Sequence, residues 1–291
     1  MVADAVGEQD LRATYYDTAV KAVALMEYKL KSLCTISSTG AHTNYYYRET
    51  NSELTGGAGN ATAGVPRYAQ FPHGDVTETL VSSVISKYAF EGEVSHEDEI
   101  TDNLPMVQRT ILRVGRAVSY AVDTAIAAAM LASAGNSVAI SGGSEWDSDT
   151  IANRDPIKNI ADGVQTMRAD NLNPLNANGY LCMNGTDYVN FATNSKILNH
   201  PTYQTVSAVE NGVVGMIYGL KIMVTEALEV TTPDVCYIVI AQEAMTWKEA
   251  ESLKVEQIVD PGIRRTIRAW EQGVVQVTSP NAICKITNTR K

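Results

Sequence analysis

The side chains best suited to metal chemistry lie between residues 73 and 99. His73 and His96 could share a metal ion with nearby carboxylates, because imidazole nitrogens and carboxylate oxygens are common metal ligands. A run of charged side chains on strand-like or loop-like sequence is more often a solvated face, so we assign no metal ligand. The carboxylates considered are Asp75, Glu91, Glu93, Glu97, Asp98 and Glu99.

Two short glycine-containing segments do not fit the patterns of phosphate-binding sites. Residues 141–144 (SGGS) are too short for a phosphate-binding loop and lack its lysine. Residues 212–215 (GVVG) lead into MIYG without a following helical segment, which argues against a dinucleotide site. The four histidines stand apart from any nucleophile-elbow pattern. We therefore predict no catalytic residue and no cofactor.

The four cysteines are Cys34, Cys182, Cys236 and Cys284, and they follow no metal-ligand spacing. The last three lie in apolar, strand-like runs, where a free cysteine behaves as a small hydrophobic residue. We expect buried thiols in a reducing compartment rather than disulfides or metal ligands.

The composition predicts a folded chain that does not cross a membrane. Of its 291 residues, 45% are hydrophobic and 19% are charged, which excludes a disordered chain. The longest apolar stretch, residues 125–134, is about half the length that a bilayer crossing needs. Residues 1–20 lack the apolar segment of a signal peptide. The net charge of −10 argues against binding nucleic acid through a basic surface, but not against enclosing it.

The N-terminal third predicts a helical arm followed by a long hairpin. Apolar residues recur at three- and four-residue steps from 11 to 33, after a possible cap at Asp10. This amphipathic helix would pack either on its own core or on a partner. Strand-like segments 43–48 and 77–90 flank the glycine-rich residues 55–64, which indicates a hairpin with a flexible tip.

The remaining sequence predicts one long helix and then mainly strands. A cap and proline at residues 102–105 begin a helical pattern that continues to Gly135, about 45 Å at helical rise. The small residues of its second half predict close packing, including at Ala128. Residues 135–154 form a polar connection, and Asp155 with Pro156 begins a second helix. Residues 179–183 predict a strand and 184–191 a turn into a short helix.

The order of the C-terminal segments carries a family resemblance. Residues 211–224 (NGVVGMIYGLKIMV) lead to the apolar run 235–241 (VCYIVIA), charged alternating segments follow, and residues 280–287 (PNAICKIT) close the pattern. Together with the long helix that follows a glycine-tipped hairpin, this order resembles the major capsid proteins of tailed viruses, from phages or archaeal viruses, with the Hong Kong 97-type fold. The resemblance covers nearly the full length and rests on element order rather than on one motif.

The resemblance implies an α+β fold with six parts. They are an N-arm with the amphipathic helix (1–42), an extended hairpin called the E-loop (43–100), the spine helix of the P-domain (101–137), the A-domain (138–248), the P-domain strands (249–278), and a closing strand with the C-terminus (279–291).

The implied function is structural. Copies of the chain would assemble into pentamers and hexamers of an icosahedral shell, made in the host cytoplasm and present in the virion capsid. The shell would enclose viral double-stranded DNA without recognising its sequence, and scaffold, portal and decoration proteins are candidate partners. We expect no enzymatic activity and no membrane partner.

The resemblance also implies inter-subunit contacts. The E-loop tip would lie on an adjacent subunit, and an arginine cluster would face the acidic base of a neighbour's E-loop. Alternatively, the arginines belong to an edge strand that is kept charged against aggregation. The contact residues expected are Gly56, Gly57, Gly59, Gly64, Glu91, Glu93, Arg264, Arg265 and Arg268.

Two other functions remain open at this point. Encapsulins, the shell proteins of cellular nanocompartments, have the same fold, and in that case the N-terminal helix would bind cargo peptides. A cytoplasmic α+β enzyme could use the glycine-rich loop as an active-site lid. Some capsid relatives link an E-loop lysine to a P-domain asparagine, but no lysine lies between Lys31 and Lys87 here, so we expect a non-covalent shell.

Overall fold

A computed structural model describes residue 20 and residues 28–48, 66–70, 78–101, 106–175, 178–198, 215–231 and 234–291. The helices of this part are α1 (His96–Thr101), α2 (Met106–Ser133), α3 (Pro156–Ala169), α4 (Gly185–Ala192), α5 (Ser195–Leu198) and α6 (Ala227–Thr231). The strands are β1 (Thr35–Ser38), β2 (Thr43–Arg48), β3 (Thr79–Val84), β4 (Ser86–Ser95), β5 (Asn136–Ala139), β6 (Gly179–Met183), β7 (Met216–Ile217), β8 (Leu220–Val224), β9 (Val235–Ile240), β10 (Met245–Asp260), β11 (Arg264–Val277) and β12 (Ile283–Thr287).

A four-stranded sheet supports the long helix α2. Its strand order is β1-β10-β11-β4, with β10 and β11 paired as a long antiparallel hairpin. Helix α2 lies across β4 and β11 and buries an apolar face that includes Val114 and Val118. Gly92 of β4 permits this close approach, because a Cβ atom there would lie 2.5 Å from Thr110 Cγ2. The predicted long helix is therefore confirmed.

A six-stranded sheet holds most of the remaining core. Its order is β5-β12-β9-β6-β8-β7. Every residue of β9 is buried, which explains why the apolar run 235–241 shows no polar alternation. Helix α3 packs on β5 and β12, and it starts as predicted, with the Asp155 side chain accepting from the Lys158 backbone N–H. The predicted closing strand is also confirmed, since β12 pairs with both β9 and β5.

The two strands at the base of the predicted hairpin are present. Strands β2 and β3 pair antiparallel, from Thr43 opposite Val84 to Arg48 opposite Thr79. The predicted strand over 77–90 is interrupted at Ile85, after which β4 leaves the hairpin and pairs with β11 instead.

Four predictions differ from the structure. Most of the predicted helix 11–33 lies outside the described residues, and its end, Leu30–Leu33, is a 3-10 turn. The carboxylate of Asp123 accepts the backbone N–H groups of Lys29 and Lys31, which a continuous α-helix would use internally. The charged run near His96 contains the short helix α1 rather than strand or loop. Within the predicted polar connection, β5 forms because its backbone pairs with β12.

The fourth difference concerns the phase of α2. Ala128 is exposed, whereas its neighbour Ala127 is fully buried. The prediction of close packing at Ala128 is therefore wrong, because a stretch of small residues on all sides gives little information on which face is buried.

By length and composition alone, helix α2 could cross a membrane, but half of its most apolar window is buried within the protein.

The C-terminal residues are tied to the six-stranded sheet by an ionic cluster. The Arg290 guanidinium lies 2.9 Å from Glu229 and 3.6 Å from Asp187. Asp187 is fully buried, and burial raises the pKa of its carboxyl to about 6, although the nearby Thr289 hydroxyl and the charge of Arg290 oppose this. Sequence reasoning did not identify this cluster.

Candidate inter-subunit surfaces

The β2–β3 hairpin exposes an apolar face. Tyr45 and Tyr47 of β2 and Leu80 and Val84 of β3 are 54% to 68% exposed. The strand register places Tyr47 directly opposite Leu80, so these side chains form one continuous surface. These residues were absent from the predicted contacts, although the alternation within residues 43–48 (TNYYYR) was a usable signal.

The opposite face of the hairpin is attached to its own subunit. The guanidinium of Arg48 donates to Ser133 Oγ at the end of α2, over 3.3 Å. The amide of Gln276 in β11 donates to Ser83 Oγ over 2.7 Å. These contacts fix the base of the hairpin on the body, so that its tyrosine face points away from the subunit's own core. The predicted tip contacts Gly56, Gly57, Gly59 and Gly64 lie outside the described residues.

The predicted arginine cluster pairs with acids of the same chain. Arg264 lies 2.7 Å from Glu93 and Arg268 lies 3.3 Å from Glu91, because β11 and β4 are neighbours in one sheet. Arg265 projects on the other face of β11, as predicted. Strand β11 is flanked by β10 and β4, so the edge-strand alternative is wrong. Contact of this charged face with a neighbouring subunit stays a prediction.

A second apolar surface lies at the far end of the β10–β11 hairpin. Ile100, Val259 and Ile263 are each more than half exposed. They surround the turn at Pro261 and Gly262, where Gly262 has a φ of +73°, a conformation that glycine adopts without strain.

The start of the described chain is anchored by two buried carboxylates. Asp123 of α2 accepts the backbone N–H groups of Lys29 and Lys31; burial raises its pKa, while these hydrogen bonds lower it. Glu271 of β11 is fully buried and accepts from both Lys31 Nζ and the Tyr28 hydroxyl, each over 2.5 Å. The Lys31 ammonium also lies 5.5 Å from the ring centroid of Trp247. Residues 28–31 are therefore fixed to both α2 and β11.

Within the part of the chain that the structure describes, the candidate metal, phosphate-binding and nucleophilic residues do not assemble into a reactive site. His96 is exposed, and the described residues contain no group of three or more potential metal ligands; His73 and Asp75 lie outside them. In the 141–144 turn, the Gly143 N–H donates to the protein's own Glu145 carboxylate. All four cysteines are buried, including the three in strand-like runs whose burial was predicted. Burial raises the pKa of Cys182 and of Cys284 to about 12, which makes both thiols poor nucleophiles.

Comparison with known families identifies the class of protein. A family model described as "Phage capsid protein" matches residues 78–286, from just before β3 into β12. The chain belongs to this phage capsid protein family. No curated protein sequence matches the chain. The capsid family is structural, which excludes the enzyme alternative, and it places the protein in a virion capsid built from many copies.

Solved structures extend this likeness to nearly the whole capsid protein. The capsid of cyanophage P-SCSP1u shares 13% identity, with a TM-score of 0.68 over 89% of this chain and 88% of that chain. The mature capsid of bacteriophage PhiM1 shares 12% identity, with a TM-score of 0.63 over 90% and 87%. A virus-like particle from Pyrococcus furiosus shares 10% identity, with a TM-score of 0.61 over 94% and 99%. The predicted α+β, Hong Kong 97-type capsid fold is thus confirmed.

Proposed function

We propose that this chain is the major capsid protein of a tailed virus, and that its copies form the pentamers and hexamers of an icosahedral shell around double-stranded DNA. The observation that carries this proposal is the outward apolar face of the β2–β3 hairpin, formed by Tyr45, Tyr47, Leu80 and Val84. In this account the hairpin is the base of the E-loop, and the face is covered by an adjacent subunit.

The energetics favour a partner for this face. A two-stranded hairpin is only marginally stable alone, and the contacts of its inner face leave the outer side chains in water. Fully burying an exposed leucine or valine contributes about 1.5–3 kcal/mol. A neighbour that covers four such side chains would therefore gain several kcal/mol at each contact, repeated around every capsomer.

We propose domain boundaries in the order of the capsid fold, and two packing contacts support them. We assign 1–42 to the N-arm, 43–100 to the E-loop, 101–137 to the spine helix, 138–248 to the A-domain, 249–278 to the P-domain strands, and 279–291 to the closing strand. The packing of α2 on the four-stranded sheet supports the P-domain assignment. The pairing of β12 with β9 supports the return of the chain to the A-domain.

Two further surfaces are candidate contacts. The exposed apolar group Ile100, Val259 and Ile263 would meet other subunits where P-domains converge. The face that carries Glu91, Glu93, Arg264 and Arg268, with Arg265 on the other side of the strand, would contribute charged contacts of about 0–1 kcal/mol each. The tip glycines Gly56, Gly57, Gly59 and Gly64 would contact the adjacent subunit. Scaffold, portal and decoration proteins are further partners in this proposal.

An encapsulin-type compartment is the second candidate in this proposal, because the fold alone, which the Pyrococcus furiosus virus-like particle shares, does not fix what a shell encloses. The contents of purified particles separate the two functions. Encapsidated double-stranded DNA supports the viral shell, and a protein cargo supports the compartment.

The hairpin contact can be tested by a double substitution. Tyr45→Ser with Tyr47→Ser removes the two exposed rings without touching the inner face, so the subunit should fold normally and fail to form particles. The matched control, Tyr45→Phe with Tyr47→Phe, keeps the rings and should assemble. Sedimentation and negative-stain microscopy report particle yield, and circular dichroism reports folding. Wild-type particle yield from the serine variant would overturn the proposed E-loop contact.

A further inference from the structure

A row of arginines runs along the exposed side of α2. Arg109, Arg113 and Arg116 are all exposed, and their spacing of four and three residues places them on one helical face. Together with Lys29 they line a cleft of about 760 Å³ between α2 and the residues at the end of β8. The cleft is therefore bordered by four cations.

Two arginines of the row, Arg109 and Arg113, are not neutralised by the acids that border this cleft. Its carboxylates are Asp123 and Glu226. Asp123 is buried and accepts two backbone N–H groups. Within the described part of the chain, Arg109 and Arg113 make no ion pair or hydrogen bond, whereas Arg264 and Arg268 are both paired with glutamates. The cleft is thus locally basic in a chain whose net charge is −10.

This arrangement works against the stability of the isolated helix. Like charges four residues apart, such as Arg109 and Arg113, repel each other and destabilise a helix. Arg109 also lies in the first turn of α2, where the helix dipole disfavours a cation. An anion held in the cleft would reverse both effects.

We propose that this cleft binds the phosphodiester backbone of the enclosed duplex DNA. At about 1.5 Å per residue, the row spans about 10 Å along the helix axis. Each strand of B-DNA carries one phosphate per 3.4 Å of duplex axis, so a duplex lying parallel to α2 presents about three phosphates of one strand over that length. Guanidinium groups bind phosphate oxygens through paired N–H donors, and such contacts carry no sequence information. The proposal rests on the proposed function, because it requires the cleft to face the interior of the shell.

Unassembled subunits and a short fluorescent DNA duplex provide the test. The slope of log Kd against log salt, measured between about 50 and 200 mM salt, counts the phosphates contacted. Arg109→Gln with Arg113→Gln should weaken binding at least 10-fold at the lower salt and reduce the slope by about 2, roughly one for each lost contact. Glutamine is a good helix former, so the variant should keep its circular dichroism spectrum.

Two controls separate this site from general charge. Arg264→Gln with Arg268→Gln removes one exposed and one half-buried arginine that are already paired, and should leave the slope unchanged. Arg109→Lys with Arg113→Lys keeps both charges and should keep the slope even if the glutamine variant folds poorly. An unchanged slope in the folded glutamine variant would overturn the proposal. Tighter binding of polyglutamate than of the duplex would also overturn it, and would indicate an acidic protein partner.

Assembled empty shells test the position of the cleft. They should bind added duplex more weakly, per subunit, than dissociated subunits do, because the arginines would be enclosed. Equal binding by closed shells would place the cleft outside and overturn the proposal, while the formation of shells would still support the proposed function. Failure to form shells with retained duplex binding would instead count against the proposed function.

Discussion

Replacing Lys31 by methionine should destabilise the subunit far more than the loss of an exposed lysine. Lys31 Nζ lies 2.5 Å from Glu271 Oε1, and the Glu271 side chain is fully buried. Lys31 Nζ also forms an ion pair with Glu249 Oε1, over 3.3 Å. Methionine keeps the length and apolar stem of lysine, so the substitution removes mainly the charge and its hydrogen bonds.

The expected effect follows from the carboxylate left behind. Breaking a buried ion pair by removing one partner costs about 3–5 kcal/mol. For a chain of this size, each kcal/mol lowers the Tm by about 2 °C, so the Tm should fall by roughly 6–10 °C. Adding Glu271→Gln removes the stranded charge and keeps a partner for the Tyr28 hydroxyl. The double variant should therefore recover more than half of the loss.

Calorimetry of unassembled subunits at neutral pH measures both effects. The control is Lys158→Met, whose pair with Asp162 spans 2.8 Å between exposed side chains; it should change stability by no more than about 0.5 kcal/mol. If Lys31→Met lowers the Tm no further than this control, Glu271 is not the buried, charged partner inferred from the structure. A double variant as unstable as Lys31→Met would contradict the same reasoning.

Three further predictions concern the helix phase, pH and covalent links. Ala127→Leu should cost about 1–3 kcal/mol by overpacking, whereas Ala128→Leu should change stability by less than about 0.5 kcal/mol; equal denaturant midpoints would mean that α2 is rotated. Because the pKa of Asp187 is raised to about 6, the folded state holds this proton more tightly than the unfolded state. About 3 kcal/mol of unfolding free energy should therefore be lost as pH rises from about 4 through 6. Asp187→Asn should flatten the dependence of the denaturant midpoint on pH in that window. An unaltered dependence would contradict the raised pKa of Asp187. With no lysine between Lys31 and Lys87 and the thiols buried, mature particles boiled in denaturant should give one band near 31.5 kDa, with or without reductant; a ladder of multimers would refute the non-covalent shell.

Elements whose environment is uniform could be predicted from the sequence. Strand β9 is buried along its whole length, so its apolar run was unambiguous. Helix α3 carries its own cap at Asp155 and a proline after it, which are local signals. Local signals also predicted the position of the long helix α2. Its small residues, however, did not reveal which of Ala127 and Ala128 is buried.

Features that depend on distant residues could not be predicted. Lys31 and Glu271 are 240 residues apart in sequence, so nothing in either neighbourhood indicates the pair. The partners of Arg264 and Arg268 follow only once β4 is known to lie beside β11. The basic row on α2 was hidden because net charge averages over the whole chain, whereas the arginines are gathered by helical spacing and the neighbouring elements.

Electron cryo-microscopy of particles formed by the purified chain would show directly what each hairpin contacts. We expect closed shells in which each β2–β3 hairpin lies on an adjacent subunit, with the rings of Tyr45 and Tyr47 buried in that contact. Small, monodisperse oligomers in which both rings remain in solvent would contradict it.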